Sequence, residues 1–169
     1  MLFCEIKIFN FVLRLTGSRG VAQELIQETF TRIWFAAQTF DQKRGNCKAW
    51  IYTIALNLTR NEMSKKEYSY HFLNTEKMES SHGQFQLNES RGPNDILEQN
   101  ELHDSINRAL EKLKPHLREV IILKNFQQLK FREIAETTNL PESTLKARYH
   151  RAIDLLKKEL ITEEDRLHV

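Results

Sequence analysis

The chain has 169 residues, enough for one ordinary domain or two small ones, and its 40% hydrophobic and 28% charged content is that of a globular protein. Its 25 Lys and Arg against 23 Asp and Glu leave a formal charge of +2, which points to nucleic acid only where bases are gathered locally. Cys4 and Cys47 are the two cysteines, without a CxxC or a Cys/His cluster. That excludes a disulfide framework and a zinc site, and makes a reducing cytoplasm the expected compartment.

The apolar opening, Met1 to Leu13, is broken by Glu5, Lys7 and Asn10. It has neither the basic-then-apolar order of a signal peptide nor the length of a membrane span. A first helix is predicted over Ile6 to Leu15, stopping at Thr16-Gly17-Ser18, where glycine supplies a left-handed helix end. A second is predicted from Val21 to Thr39. Its Ala22, Leu25, Ile26, Thr29, Phe30, Ile33, Trp34 and Ala37 recur at three- and four-residue spacing and predict one apolar face. The remaining Gln23, Glu24, Gln27, Glu28, Thr31 and Arg32 read as a solvated face or as a docking surface for a partner protein.

The third helix is predicted to start after Lys43-Arg44-Gly45, with Asn46 as N-cap, and to bury Trp50, Ile51, Ile54, Ala55 and Leu58. Thr53, Asn57, Arg60, Asn61 and Ser64 lie opposite. Between residues 43 and 66 the bases Lys43, Arg44, Lys48, Arg60, Lys65 and Lys66 face Glu62 alone. Asparagine and arginine on such a face read bases and hold phosphates. Trp50 falls on the apolar stripe and is expected in the core. Tyr52 falls off it and is expected to meet nucleic acid, where a ring stacks on an unpaired base.

From about Tyr68 to Asn100 periodicity fails. Residues 74–100 carry Glu76, Glu79, Glu89, Asp95 and Glu98 against Lys77 and Arg91, the composition of an acidic, flexible linker. A further helix is predicted through Leu102, Ile106, Ala109, Leu110 and Leu113. Pro115 begins another, since proline is tolerated in a first turn. Then come two helices separated by the break Asn139-Leu140-Pro141-Glu142. The second, Ser143 to Lys158, carries Lys146, Arg148, Arg151, Lys157 and Lys158 against Asp154 alone. A short helix, a tight turn and a longer basic helix is the layout that sets a recognition helix in the DNA major groove. Ser143, Thr144, Lys146 and Arg148 occupy the first turns, which meet base edges, and arginine there bonds guanine bidentately. The expected fold is all-α: two small helical modules, 1–67 and 101–162, joined by the linker 68–100.

No Gly-rich phosphate loop, HExxH or GxSxG is present, and His71, His82, His103, His116, His150 and His168 show no metal spacing. Neither catalytic residues, nor a metal, nor a cofactor, nor a small-molecule substrate is expected.

The run Ala22 to Phe30, then Phe40-Asp41 to Gly45, then Lys48 to Asn57, resembles region 2 of extracytoplasmic-function (ECF) sigma factors. Leu117 to Ile121, Glu133-Ile134-Ala135 and Ser143 to Ala152 resemble their region 4. Both blocks in this order are far more specific than a helix-turn-helix alone. The resemblance implies a promoter-recognition subunit that binds core RNA polymerase and has no catalysis of its own. Glu24, Gln27, Glu28 and Arg32 would dock on the clamp of the largest polymerase subunit, with the flap of the second-largest a further partner. Lys43, Arg44, Asn46, Lys48, Tyr52, Asn57, Arg60 and Asn61 would recognise and open the −10 element. Ser143, Thr144, Lys146, Arg148 and Arg151 would read the −35 element. An anti-sigma factor is an implied partner, and the acidic linker would thread the polymerase's RNA path.

The chain departs from the family at several positions. Its first helix is short, implying either a truncated or misassigned start or the loss of part of the surface that faces polymerase and an anti-sigma factor. Gln128 and Asn139 replace frequent glycines, Thr137 and Thr138 replace larger apolar residues, Ser143 replaces a common glycine, and Cys47 an aromatic. Two other readings remain: a stand-alone helix-turn-helix regulator, and a truncated sigma-like factor that occupies polymerase or an anti-sigma protein without initiating.

Overall fold

Glycine 17 closes the first helix as its sequence demands. A computed structural model describes residues 2–41, 46–72 and 105–167. In it α1, Leu2–Thr16, ends where Gly17 takes φ +65° and its N–H bonds the Leu13 carbonyl at 2.8 Å. Ile8, Phe11, Val12 and Leu15 form its buried face. Helix α2, Arg19–Ala36, buries Ala22, Leu25, Ile26 and Thr29, then tightens into a 3₁₀ turn, Ala37–Thr39. The buried Thr29 hydroxyl donates to the Leu25 carbonyl, so no polar group is stranded.

Helix α3, Cys47–Phe72, begins as predicted at Asn46, whose Oδ1 accepts the Lys48 N–H at 2.8 Å. It continues to Phe72, past the expected linker start at 68; the acidic stretch 74–100 lies outside the described residues. Two expectations for α3 are corrected. Trp50 is only half-buried, tilted against Phe40 with ring centroids 4.9 Å apart. Tyr52 is 3% exposed and packs edge-to-face with Phe11, ring centroids 5.1 Å apart. The reason is that α3 is covered on two sides. One side packs on α1 and α2, and the stripe Ala49, Tyr52, Leu56 packs under the C-terminal module.

In that module residues 105–111 form α4, followed by α5, Pro115–Ile121, a π-helical turn, Ile122–Phe126, α6, Phe131–Thr138, and α7, Glu142–Leu167. Pro115 sits in the first turn of α5, where its missing N–H costs nothing. The Arg118 guanidinium gathers the carbonyls of Leu110, Glu111 and Leu113 at the end of α4 and reaches the Leu15 carbonyl of α1. Leu110, Leu113, Leu117, Ile121 and Ala152 make a local core. Val120, Ile122, Leu123, Leu129, Ile134 and Leu145 join the N-terminal helices in one larger core. Among the described residues there is no strand, and no helix is long and apolar enough to cross a membrane.

The π turn runs into Gln127-Gln128, and Gln128 adopts φ +55°. A left-handed residue with a Cβ carries about 1–2 kcal/mol of strain. Glycine removes that strain but adds about 0.4–1 kcal/mol of unfolded-chain entropy. Gln128→Gly is therefore expected to raise stability by about 0.5–1 kcal/mol. The check is a urea midpoint that rises at unchanged slope; a lower midpoint would contradict the strain argument.

Candidate nucleic-acid interface

The helix-turn-helix is built by a cap at each end of α6. The Glu133 carboxylate accepts the Lys130 N–H at 2.6 Å, capping the start. At the end Asn139 takes φ 57°, ψ 34° and its N–H bonds the Ala135 carbonyl at 2.9 Å. Asparagine thus does the work of the glycine it replaces. Since α7 already starts at Glu142, the break is one residue shorter than the four expected. Buried Thr137 and Thr138 donate to the carbonyls of Glu133 and Ile134, and Thr137 also reaches the Ala49 carbonyl of α3. The threonines therefore fill the core without unpaired hydroxyls, and one ties α6 to the N-terminal helices.

Leu145 and Ala152 anchor α7 with no exposed surface. Around them Ser143, Lys146 and Arg151 are exposed, while Thr144 and Arg148 are half-buried. Lys146 stays within 3.8 Å of Glu142, an exposed pair that water and salt weaken. His116, at the start of α5, is held below its ordinary pKa by partial burial first, and then by the positive field of Arg148, Lys114 and Arg151. The basic side of α7 thus lies beside the start of α5.

The candidate residues of α3 behave differently. Lys43 and Arg44 lie outside the described residues, and Asn57 and Asn61 are exposed. The other four touch the C-terminal module. Asn46 Nδ2 donates to Glu133 Oε1. Lys48 Nζ donates to the Gln127 carbonyl at 2.7 Å, and the Tyr52 hydroxyl donates to Gln127 Oε1. Arg60 grips Glu119 through Nε at 3.0 Å and Nη2 at 2.7 Å. Glu119 is mostly buried, and its hydrogen bonds hold the Arg60 guanidinium above its ordinary pKa against the opposing effect of burial. Tyr52, expected to stack on a base, is instead sealed between Phe11 and Gln127.

On α2, Glu24, Gln27, Glu28 and Arg32 are exposed on one side, with Arg32 paired to Glu28 at 2.7 Å. Trp34 and Phe35 stand 76% and 78% exposed at the end of the same helix. Periodicity assigned Trp34 to the core; the structure corrects this, because the buried stripe of α2 ends at Thr29. Two large apolar side chains, consecutive in the chain, are thus left in water. The signal that finds them is the length of the apolar stripe, which outruns the helices that cover α2.

The chain matches family models of sigma-70 region 2 over residues 5–67 and of sigma-70 region 4 over residues 103–156. It is 32% identical over 158 residues to the ECF RNA polymerase sigma factor SigW of Bacillus subtilis, covering 91% of this chain and 83% of that protein. It is 29% identical over 163 residues to the RNA polymerase sigma factor YlaC of the same organism, covering 95% and 91% of the two chains. Among solved structures, the sigma factor RpoE in complex with the anti-sigma factor NepR from Bartonella quintana superposes with a TM-score of 0.77. That match is 24% identical and covers 94% of this chain and 92% of RpoE.

Proposed function

Because this chain belongs to the ECF sigma factor family, we propose that it binds core RNA polymerase and directs promoter-specific transcription initiation. The carrying observation is that the helix-turn-helix with its basic α7 stands in one chain behind a region 2 match over residues 5–67. Residues 1–67 bind polymerase and the −10 element, 68–100 connect, and 101–162 bind the −35 element. Ser143, Thr144, Lys146, Arg148 and Arg151 face the −35 bases and phosphates. Lys43, Arg44, Asn46, Lys48, Asn57, Arg60 and Asn61 serve the −10 element; burial of Tyr52 removes it from that set.

Glu24, Gln27, Glu28 and Arg32 dock on the polymerase clamp, and the exposed Trp34 and Phe35 extend this surface with apolar anchors. The C-terminal module meets the flap of the second-largest subunit, and an anti-sigma factor is the expected regulator, working in the cytoplasm. The family is one of transcription factors, so promoter choice and strand opening are its chemistry and catalysis stays with polymerase.

Transcription in vitro with core polymerase and the full-length chain tests this reading. Promoter-dependent transcripts are expected, and their absence on every genomic template would sink it. Footprinting without polymerase separates the stand-alone regulator, which needs only the C-terminal module and must protect DNA by itself. In the same assay Arg148→Ala is expected to cost about 1–3 kcal/mol on promoters whose −35 base it reads. An equal loss on every promoter would reassign Arg148 to a phosphate.

A further inference from the structure

The start of α5 and the side of α7 packed on it gather Lys114, His116, Arg148 and Arg151 in one place. Leu117 and Ile121 of α5 share a buried cluster with Ala152 of α7. His116 directly precedes Leu117, and Arg151 directly precedes Ala152. Arg148 lies one turn before Ala152, on the same side of the helix. Lys114, His116 and Arg151 are exposed and Arg148 is half-buried, so the cluster opens to water. Its α5 side is firmly held. The Lys114 carbonyl accepts the N–H groups of Leu117 and Arg118 at 2.9 and 3.1 Å, and the Arg118 guanidinium ties that turn to the end of α4.

Glu119 is the acid that opposes these bases at His116, and both its oxygens already bond Arg60 of α3. Among the described residues no carboxylate pairs with Lys114, Arg148 or Arg151. Bases gathered without a carboxylate between them repel one another, and an anion among them relieves that repulsion.

We propose that Lys114, His116 and Arg151 clamp a backbone phosphate beside the −35 bases, and that His116 takes up a proton as the clamp closes. The inference rests on the reading of α7 as the −35 reader, and it adds Lys114 and His116 to that surface. A phosphate accepts hydrogen bonds from ammonium, imidazolium and guanidinium groups alike. Arg148, behind the other three, adds positive field while its own guanidinium serves a base edge.

The direction of the proton coupling follows from the charges. In the free chain the imidazole is held below its ordinary pKa, by partial burial first and then by Arg148, Lys114 and Arg151, with Glu119 acting the other way. A phosphate at hydrogen-bonding distance favours the protonated ring and raises that pKa. The DNA complex therefore holds more protons than the free protein. Affinity rises as pH falls through the interval between the two values.

The test uses holoenzyme, the full-length chain with core polymerase, and a fluorescent duplex carrying a promoter found in the transcription assay above. Affinity is measured at about pH 6 and about pH 8 over a range of salt. One proton changes affinity by at most about tenfold per pH unit. On going to the lower pH, the unsubstituted chain is expected to gain about three- to tenfold more affinity than His116→Gln. At the lower pH His116→Gln is also expected to reduce the slope of log affinity against log salt by about one, the mark of one lost phosphate contact. At the higher pH the slope is expected to stay unchanged. His116→Arg, charged at both, is expected to bind at about pH 8 as the unsubstituted chain does at about pH 6. His116 is exposed, so these replacements leave the core intact, and comparing variants at each pH cancels the other histidines. Equal pH profiles for the unsubstituted chain and His116→Gln, or an unchanged salt slope at the lower pH, overturn the clamp while transcription leaves the sigma-factor reading standing. A chain that transcribes from no template brings down that reading, and the clamp with it.

Discussion

Phe11→Ala is expected to cost about 3–5 kcal/mol of folding stability. Phe11 has no exposed surface, packs edge-to-face with Tyr52, and belongs to the core shared by both modules. Truncation removes the transfer free energy of a whole ring and leaves a cavity that helices on several sides cannot collapse together. A chain of this size has about 5–15 kcal/mol in total, so the variant sits near the limit of stable folding. Urea denaturation of both proteins measures the difference. A loss under about 1 kcal/mol would mean that the site relaxes freely and that the shared core is loosely packed.

A second large effect is expected on binding without a loss of stability. Trp34→Ala/Phe35→Ala is expected to weaken core polymerase binding by about 2–4 kcal/mol, roughly 30- to 1000-fold. Both side chains are mostly in water, so folding gains little from them, and stability is expected to stay within about 0.5 kcal/mol. Tryptophan and its neighbours dominate interfaces because a large rigid ring is desolvated at small entropic cost. Titration with core polymerase, paired with thermal denaturation, checks both halves. Unchanged affinity refutes the assignment, and lost stability would show that the pair supports the fold.

Helix positions were largely legible because they depend on local rules. Gly17, Asn46 and Pro115 each mark a boundary through the backbone conformation or hydrogen bond that residue permits. Asn139 and Pro141 frame the turn ahead of α7 for the same reason, and the basic content of α7 needs no structure to be seen. The two tryptophans were not legible. Trp50 lies on a stripe of apolar residues but is half-buried, and Trp34 ends such a stripe in water. Periodicity finds the apolar side of one helix. It does not count how many neighbours cover that helix, or how far along it they reach. Tyr52 was misplaced for the complementary reason: its side of α3 is apolar only between Lys48 and Arg60, and the basic ends made it read as a nucleic-acid face.

By itself the sequence determined the helices, their ends, the turn, the charge on α7 and the likeness to one family. All of these follow from residues a few positions apart, or from their order along the chain. Only the tertiary structure decided that one side of α3 meets the C-terminal module. Arg60 and Glu119 are 59 positions apart, and Asn46 and Glu133 are 87 apart. No helical period links such pairs; each polar side chain finds its partner only when the shared core brings the modules together. The core assembles from many non-directional contacts, and the few directional bonds at its rim then fix which faces are hidden.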